Sequence, residues 1–212
     1  MLKQAVKDLY KAHDSDQIFK CPDCIKGYGA SDRFPWKPNG WSHYAMIHLL
    51  FPVLAETPGD ILEIGAHEGT FTTILAEFAK TCGKKVIVID PWNGEQQGGE
   101  KQFKTFTGRL GYNDSILVLR KTSQDKDAVE LMKGSNICLA WVDGMHKYEY
   151  ITQDLHNVKY GFKGPGIIGT DDIRGEFGFN AEIFQAVREA ADDDWEHMEP
   201  PESGIFSFLV KE

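Results

Sequence analysis

Four short apolar runs, each carrying a carboxylate at or near its carboxyl end, constrain this chain more than any other feature. They are residues 60–65 with Glu63, 85–90 ending on Asp90, 137–143 ending on Asp143, and 166–171 ending on Asp171 and followed by Asp172. A fifth run covers 116–119. Runs of this length, rich in Ile, Val and Leu, read as buried strands. Between them the apolar period lengthens to that of a helix, as in Phe71, Ile74, Leu75 and Phe78, or Tyr148, Ile151, Leu155 and Val158. Further helices are predicted up to about 110, over about 125–133, and around Ile183, Phe184 and Val187. Strands alternating with helices imply a parallel sheet with right-handed crossovers. The last two strands, 194–199 and 204–210, are joined too closely for a crossover and should pair antiparallel at an edge.

In such a sheet, ligands bind beyond the carboxyl ends of the strands, near the switch in strand order. Glu63, Asp90, Asp143, Asp171 and Asp172 are therefore the candidate residues. The first strand runs into Gly65-Ala66-His67-Glu68-Gly69-Thr70, a glycine turn that opens a helix. Glycines let backbone and ligand approach closely, and a helix start offers N–H groups to a ligand. The spacing is G-x-x-x-G, not the G-x-G-x-x-G of a dinucleotide site, and a tight turn without a ligand is the plain alternative. Asp90 is placed to accept the two hydroxyls of a ribose, or else is a solvated strand end before Pro91. Ser123 and Gln124 follow the third strand, where an adenine would lie, while Thr122 and Asp125 equally fit a helix start.

Asp143-Gly144-Met145-His146 and Asp171-Asp172 bring three carboxylates to two neighbouring strand ends. They would repel unless neutralised, and a hard divalent cation such as Mg²⁺ is the natural partner. Such an ion lowers the pKa of a hydroxyl it holds. His146 would accept the proton as general base. The competing reading has the acids capping helices or pairing with Lys147, Arg174 or Arg188. The two readings separate only when the rim is taken as a whole.

The remainder of the chain sets limits. A length of 212 residues suits one α/β domain with a small appendage, and 42% hydrophobic residues supply its core. The net charge of −9 argues against a nucleic-acid surface. No apolar run reaches spanning length and no signal peptide is apparent, so a cytoplasmic protein without membrane contact is expected. Residues 1–13 pattern as a helix with Leu2, Val6 and Leu9 on one side. Residues 14–40 are aperiodic, and a helix from Ser42 to Glu56 is predicted with Ser42 as N-cap. The expected division is a cap over 1–41 and a catalytic domain over 42–212. Cys21-Pro22-Asp23-Cys24 is a lone C-x-x-C. Zinc would need two more ligands, with His13, His43 and His48 nearby in sequence; a Pro-containing turn with reduced thiols is the simpler reading. Cys82 and Cys138 read as core thiols.

These residues together resemble the class I S-adenosylmethionine-dependent methyltransferases, and within them the metal-dependent macrocin and mycinamicin type of sugar O-methyltransferase. The resemblance covers about 42–210. It rests on Leu62-Glu63-Ile64-Gly65 through Gly69 and on Val88-Ile89-Asp90. Most specific are Asp143-Gly144-Met145-His146-Lys147-Tyr148-Glu149 with Asp154-Leu155, and Gly164-Pro165-Gly166 leading to Asp171-Asp172. It implies a Rossmann-like, doubly wound seven-stranded sheet with an antiparallel C-terminal hairpin. It implies S-adenosylmethionine held by Glu63, Gly65, Ala66, His67, Gly69, Thr70, Asp90, Trp92, Ser123, Gln124 and Asp143. It implies Mg²⁺ on Asp143, Asp171 and Asp172, with His146 and Asp143 as the catalytic pair. The acceptor would be a hydroxyl of a small molecule, a sugar or polyol first. A catechol-like aromatic diol is the alternative, kept open by Phe34, Trp36 and Trp41. A non-catalytic cofactor-binding protein is the reading from another class. A homo-oligomer is compatible with all of these. The chain departs from the family at His67, where methyltransferases in general carry glycine, and at Met145, where some relatives carry an acid.

Overall fold

A computed structural model of the chain describes residues 1–14, 40–93, 97–175, 178–201 and 206–212. The apolar runs become strands β1 (Asp60–Ile64), β2 (Val86–Ile89), β3 (Ile116–Leu119), β4 (Ile137–Val142) and β5 (Gly166–Thr170). Strands β1 to β5 are mutually parallel where they pair. Two short strands follow, β6 (Arg174–Gly175) and β7 (Gly178–Phe179), which pair only with each other. Strands β8 (Glu196–Met198) and β9 (Ser207–Lys211) close the main sheet antiparallel. The order is β3-β2-β1-β4-β5-β9-β8, the seven-stranded mixed sheet expected from the alternation. The β6–β7 ladder is an addition, and two-residue strands leave no apolar period to read.

Helices α1 (Leu2–Asp14), α2 (Gly40–Glu56), α3 (Thr70–Thr81) and α4 (Gln97–Leu110) precede β3. Helices α5 (Lys126–Gly134), α6 (Tyr148–Lys159) and α7 (Ala181–Glu189) follow it. Helix α2 begins at Gly40, two residues before the Ser42 cap predicted from sequence. Alternate residues of a strand point to opposite faces, and that rule sorts the core into two layers. Ile61, Val86, Val88, Trp141, Ile167 and Phe208 join helices α1 to α4 on one face. Leu62, Ile64, Ile87, Ile89, Ala140 and Leu209 join helices α5 to α7 on the other. Strands β2 and β4 are buried throughout, as a sheet covered on both faces requires. The indole of Trp141 packs beside Phe71, Phe206 and Phe208. A Cβ at Gly169 on the next strand would stand 2.4 Å from that indole, so β5 carries glycine there.

Of the expected cap, α1 lies in the first core layer: Leu2, Val6 and Leu9 are buried beside Met46, Ile47 and Leu50 of α2. Tyr10 donates its hydroxyl to the Met198 carbonyl at 3.0 Å, tying α1 to β8. The C-x-x-C at 21–24, Phe34 and Trp36 fall outside the described residues. The packing of α1 sets an expectation for stability. Truncating Leu9 to Ala should cost about 2–5 kcal/mol of unfolding free energy, the range for a buried leucine that leaves a cavity. Urea denaturation reads this directly, and a loss below about 1 kcal/mol would mean that α1 detaches without the core noticing.

Candidate functional site

The sheet changes direction between β1 and β4, where β2 and β3 lie to one side and β5 to the other. The carboxyl ends of β1 and β4 meet closely there. The Asp143 amide donates to the Ile64 carbonyl at 2.8 Å, and the Gly65 amide to the Ile89 carbonyl at 3.0 Å. A Cβ on Gly65 would lie 2.0 Å from the Asp143 carbonyl oxygen, and its φ is 85°. Gly65 is thus required twice, by conformation and by space.

Beyond it the turn is held from below by β2. Asp90 is 1% exposed. Its Oδ2 accepts the Ala66 and His67 amides at 2.8 and 2.9 Å, and its Oδ1 accepts the Trp92 amide at 2.7 Å. Gly69, at φ 81°, begins α3, and its amide donates to the Ala66 carbonyl at 2.7 Å. Glu63 is buried within β1 and accepts the hydroxyl of Thr72 from the first turn of α3. Thr70 accepts the Thr73 hydroxyl through its carbonyl. Among the described residues, the non-glycine positions with positive φ are His67, Trp92 and Asp172, at 45°, 41° and 56°. All three follow strand ends on the same rim, and such strained positions concentrate at functional sites.

The acid rim has a definite arrangement. His146 lies between two carboxylates, with Nε2 3.0 Å from Asp143 Oδ1 and Nδ1 3.5 Å from Asp172 Oδ2. The Asp143 hydrogen bond, against the opposing effect of burial, raises the His146 pKa; Asp172 and Asp171 add to the rise. The side chains of Asp143, His146 and Asp172 offer ligand atoms within 4.8 Å of one another. Asp171 is mostly buried, and its Oδ1 accepts the Asp172 amide at 2.8 Å. The group that converges is therefore Asp143, His146 and Asp172, with Asp171 behind it bracing the peptide that presents Asp172.

Ser123 and Gln124 divide. Gln124 is exposed, while Ser123 is buried and donates its hydroxyl to Asp154 of α6. Asn157, one turn on, donates to the Ser123 carbonyl at 3.2 Å. Burial pushes the Asp154 carboxyl up from 3.8 to about 6, with the Ser123 bond pulling the other way. Its Oδ2 would lie 3.1 Å from a Cβ on Gly144. Asp154 thus sits under both the Ser123 loop and the loop after Asp143. Trp92 is 1% exposed and packs on Phe103 of α4.

The structure therefore gathers Gly65, Ala66, His67, Gly69, Thr70, Asp90 and Trp92 around one turn. Asp143, His146, Asp171 and Asp172 stand at the two strand ends beyond it. Sequence reasoning did not reach Thr72, Gly99 and Phe103, or what Asp154 touches. Thr72 and Phe103 look like ordinary helix positions. For Asp154, the signal was an acid on the otherwise apolar face of α6.

Comparisons with known proteins bear on the family and the fold. The family model described as "Methyltransferase domain" matches residues 62–173, more than half of the chain. No curated protein matches the sequence. Among solved structures, the chain is similar to an O-methyltransferase from Bacillus cereus in complex with SAH. Identity is 15%, coverage 93% of this chain and 90% of that one, and TM-score 0.58. It is similar to the O-methyltransferase TomG from Streptomyces achromogenes in complex with SAM, at 14% identity, 92% and 88% coverage and TM-score 0.58. It is also similar to CalS11, a TDP-rhamnose 3'-O-methyltransferase of calicheamicin biosynthesis, at 13% identity, 98% and 93% coverage and TM-score 0.64. At these identities the likeness is one of fold.

Asp154 generates a pH prediction. Its folded pKa of about 6 lies above the unfolded 3.8, so ionisation costs stability. The cost is absent below about pH 4, grows to pH 6 and is complete above it, reaching about 3 kcal/mol for roughly two pH units. Asp154→Asn should therefore raise the melting temperature at pH 8 and leave it nearly unchanged at pH 4. An equal effect at both pH values would remove the ionisation argument.

Proposed function

We propose that this chain, which belongs to the methyltransferase-domain family, moves a methyl group from S-adenosylmethionine to a hydroxyl oxygen of a small polyol, a sugar first. The observation that carries the reading is the convergence of Asp143, His146 and Asp172 at the switch point, one strand end from the glycine turn. The turn offers close backbone approach, and Glu63 and Asp90 line its base. In this reading S-adenosylmethionine lies along the carboxyl ends of β1, β2 and β3, with its sulfonium toward Asp143. The TDP-rhamnose named for one structural neighbour supports a sugar as acceptor.

The transfer forms a C–O bond and breaks the methyl C–S bond in line, leaving S-adenosylhomocysteine. The acceptor's proton passes to an imidazole nitrogen of His146, in reach of a hydroxyl that approaches between Asp143 and Asp172. Its carboxylate neighbours stabilise the imidazolium so formed, which is the direction of its raised pKa. The two carboxylates offer oxygen donors that suit a hard divalent cation such as Mg²⁺. Asp143 and Asp172 would hold it, with Asp171 bracing Asp172, and when bound it would polarise the acceptor hydroxyl.

The test pairs binding with turnover. Calorimetry with S-adenosylhomocysteine should give a Kd in the micromolar range, about −8 kcal/mol. Release of S-adenosylhomocysteine is then followed over a panel of nucleotide-linked sugars, free polyols and catechols, with Mg²⁺ or with EDTA. His146→Ala should lower turnover about 10²- to 10⁴-fold, as for loss of a general base, with cofactor affinity kept. Catechols consumed in place of sugars would move the acceptor to aromatic diols. Transfer indifferent to EDTA would remove the cation, and a chain that binds no cofactor would remove the reading altogether.

A further inference from the structure

Two residues after β2, Asp90 and Trp92, reach across to the backbone of the glycine turn. Asp90 takes the amides of Ala66 and His67. Trp92 completes the grip: its indole Nε1 donates to the His67 carbonyl at 2.7 Å. His67 is thereby held on both sides, by its N–H and by its C=O, at a φ of 45° that an L-residue adopts only under constraint. Trp92 itself has a φ of 41°, and Asp90 fixes its amide. The clamp therefore holds itself in shape as well as the turn. Its outer jaw is α4. A Cβ on Gly99 would lie 3.0 Å from the His67 carbonyl oxygen, and one on Gly69 2.8 Å from the Phe103 ring. Phe103 in turn packs against Trp92, tilted at 58° with 5.1 Å between centroids.

We infer that Trp92 and Gly99 are positioning residues for the cofactor, acting through the His67 peptide and not by touching the ligand. The inference rests on the cofactor reading above. Trp92 is buried beneath the turn, so its indole meets the His67 carbonyl where a ligand contact would otherwise be expected. Asp90 holds the same turn from its N–H side, with three backbone amides on its two oxygens. A turn held on both sides does not have to be ordered when the cofactor arrives, and ordering costs affinity.

Two variants test this from opposite sides. Trp92→Phe keeps the ring against Phe103 and removes only the indole donor. Gly99→Ala pushes on the His67 carbonyl, while alanine in a helix favours folding. Amide hydrogen exchange is measured without ligand, and S-adenosylhomocysteine affinity by calorimetry at 10 °C, below any melting. The expected result for Trp92→Phe is exchange at Ala66 and His67 at least tenfold faster, with the β1 amides unchanged. Both variants should weaken S-adenosylhomocysteine at least tenfold, and Gly99→Ala should do so without a lower melting temperature. If Trp92→Phe does not fold, Gly99→Ala decides alone. Unchanged affinity in the folded variants overturns the positioning role, and a lowered melting temperature beside it would mark Trp92 as a strut only. Wild-type protein that binds no S-adenosylhomocysteine overturns the functional reading itself, a result distinct from wild type and variants binding alike.

Discussion

A buried carboxylate with three backbone donors is the constraint on which the rim depends. Asp90 stands at the end of β2 with almost no contact with solvent, and such a group is tolerated only when hydrogen-bonded. The Ala66, His67 and Trp92 amides meet that demand. In doing so they fold the chain after β1 back over the chain after β2. Gly65 permits the other half of the arrangement, because nothing larger than hydrogen fits against the Asp143 carbonyl. One acid and one glycine thus bring three strand ends into register as a surface.

The two core layers make that surface rigid. Strands β1, β2, β4 and β5 are buried on both faces, so their ends are placed by packing on two sides. Helix α1, distant in sequence, contributes to the same layer as the helix that opens after the turn. The glycine at 169 makes room for the Trp141 indole beside β5, just before the strand ends at Thr170.

Among the acids on the rim, the work is divided by burial. The buried ones, Asp90, Asp171 and Asp154, spend hydrogen bonds on the protein: on turn amides, on the next peptide and on Ser123. The half-exposed ones, Asp143 and Asp172, face one imidazole. That partition suits the polar acceptor proposed above. Buried groups held by bonds within the chain stay fixed, and half-exposed groups face solvent.

Much of this was legible in the residues alone. The apolar runs, their lengths and the acids that end them determined the seven-stranded sheet, its closing hairpin and the rim on which Glu63, Asp90, Asp143, Asp171 and Asp172 stand. Periodicity records which face a residue takes, and a strand end is a local property. The partners of those acids were not legible. A ribose role for Asp90, a ligand role for Asp171 and a cofactor role for Ser123 followed from position at a strand end, and a cofactor role for Trp92 from the family resemblance alone. Only the tertiary structure decided that Asp90 and Trp92 grip the His67 peptide, that Asp171 braces Asp172, that Ser123 answers to Asp154, and that His146 stands between Asp143 and Asp172. The physical reason is that a hydrogen bond is directional and short. Its partner depends on distances of tenths of an ångström between segments 20 to 40 residues apart, and those distances are set by how the two core layers pack.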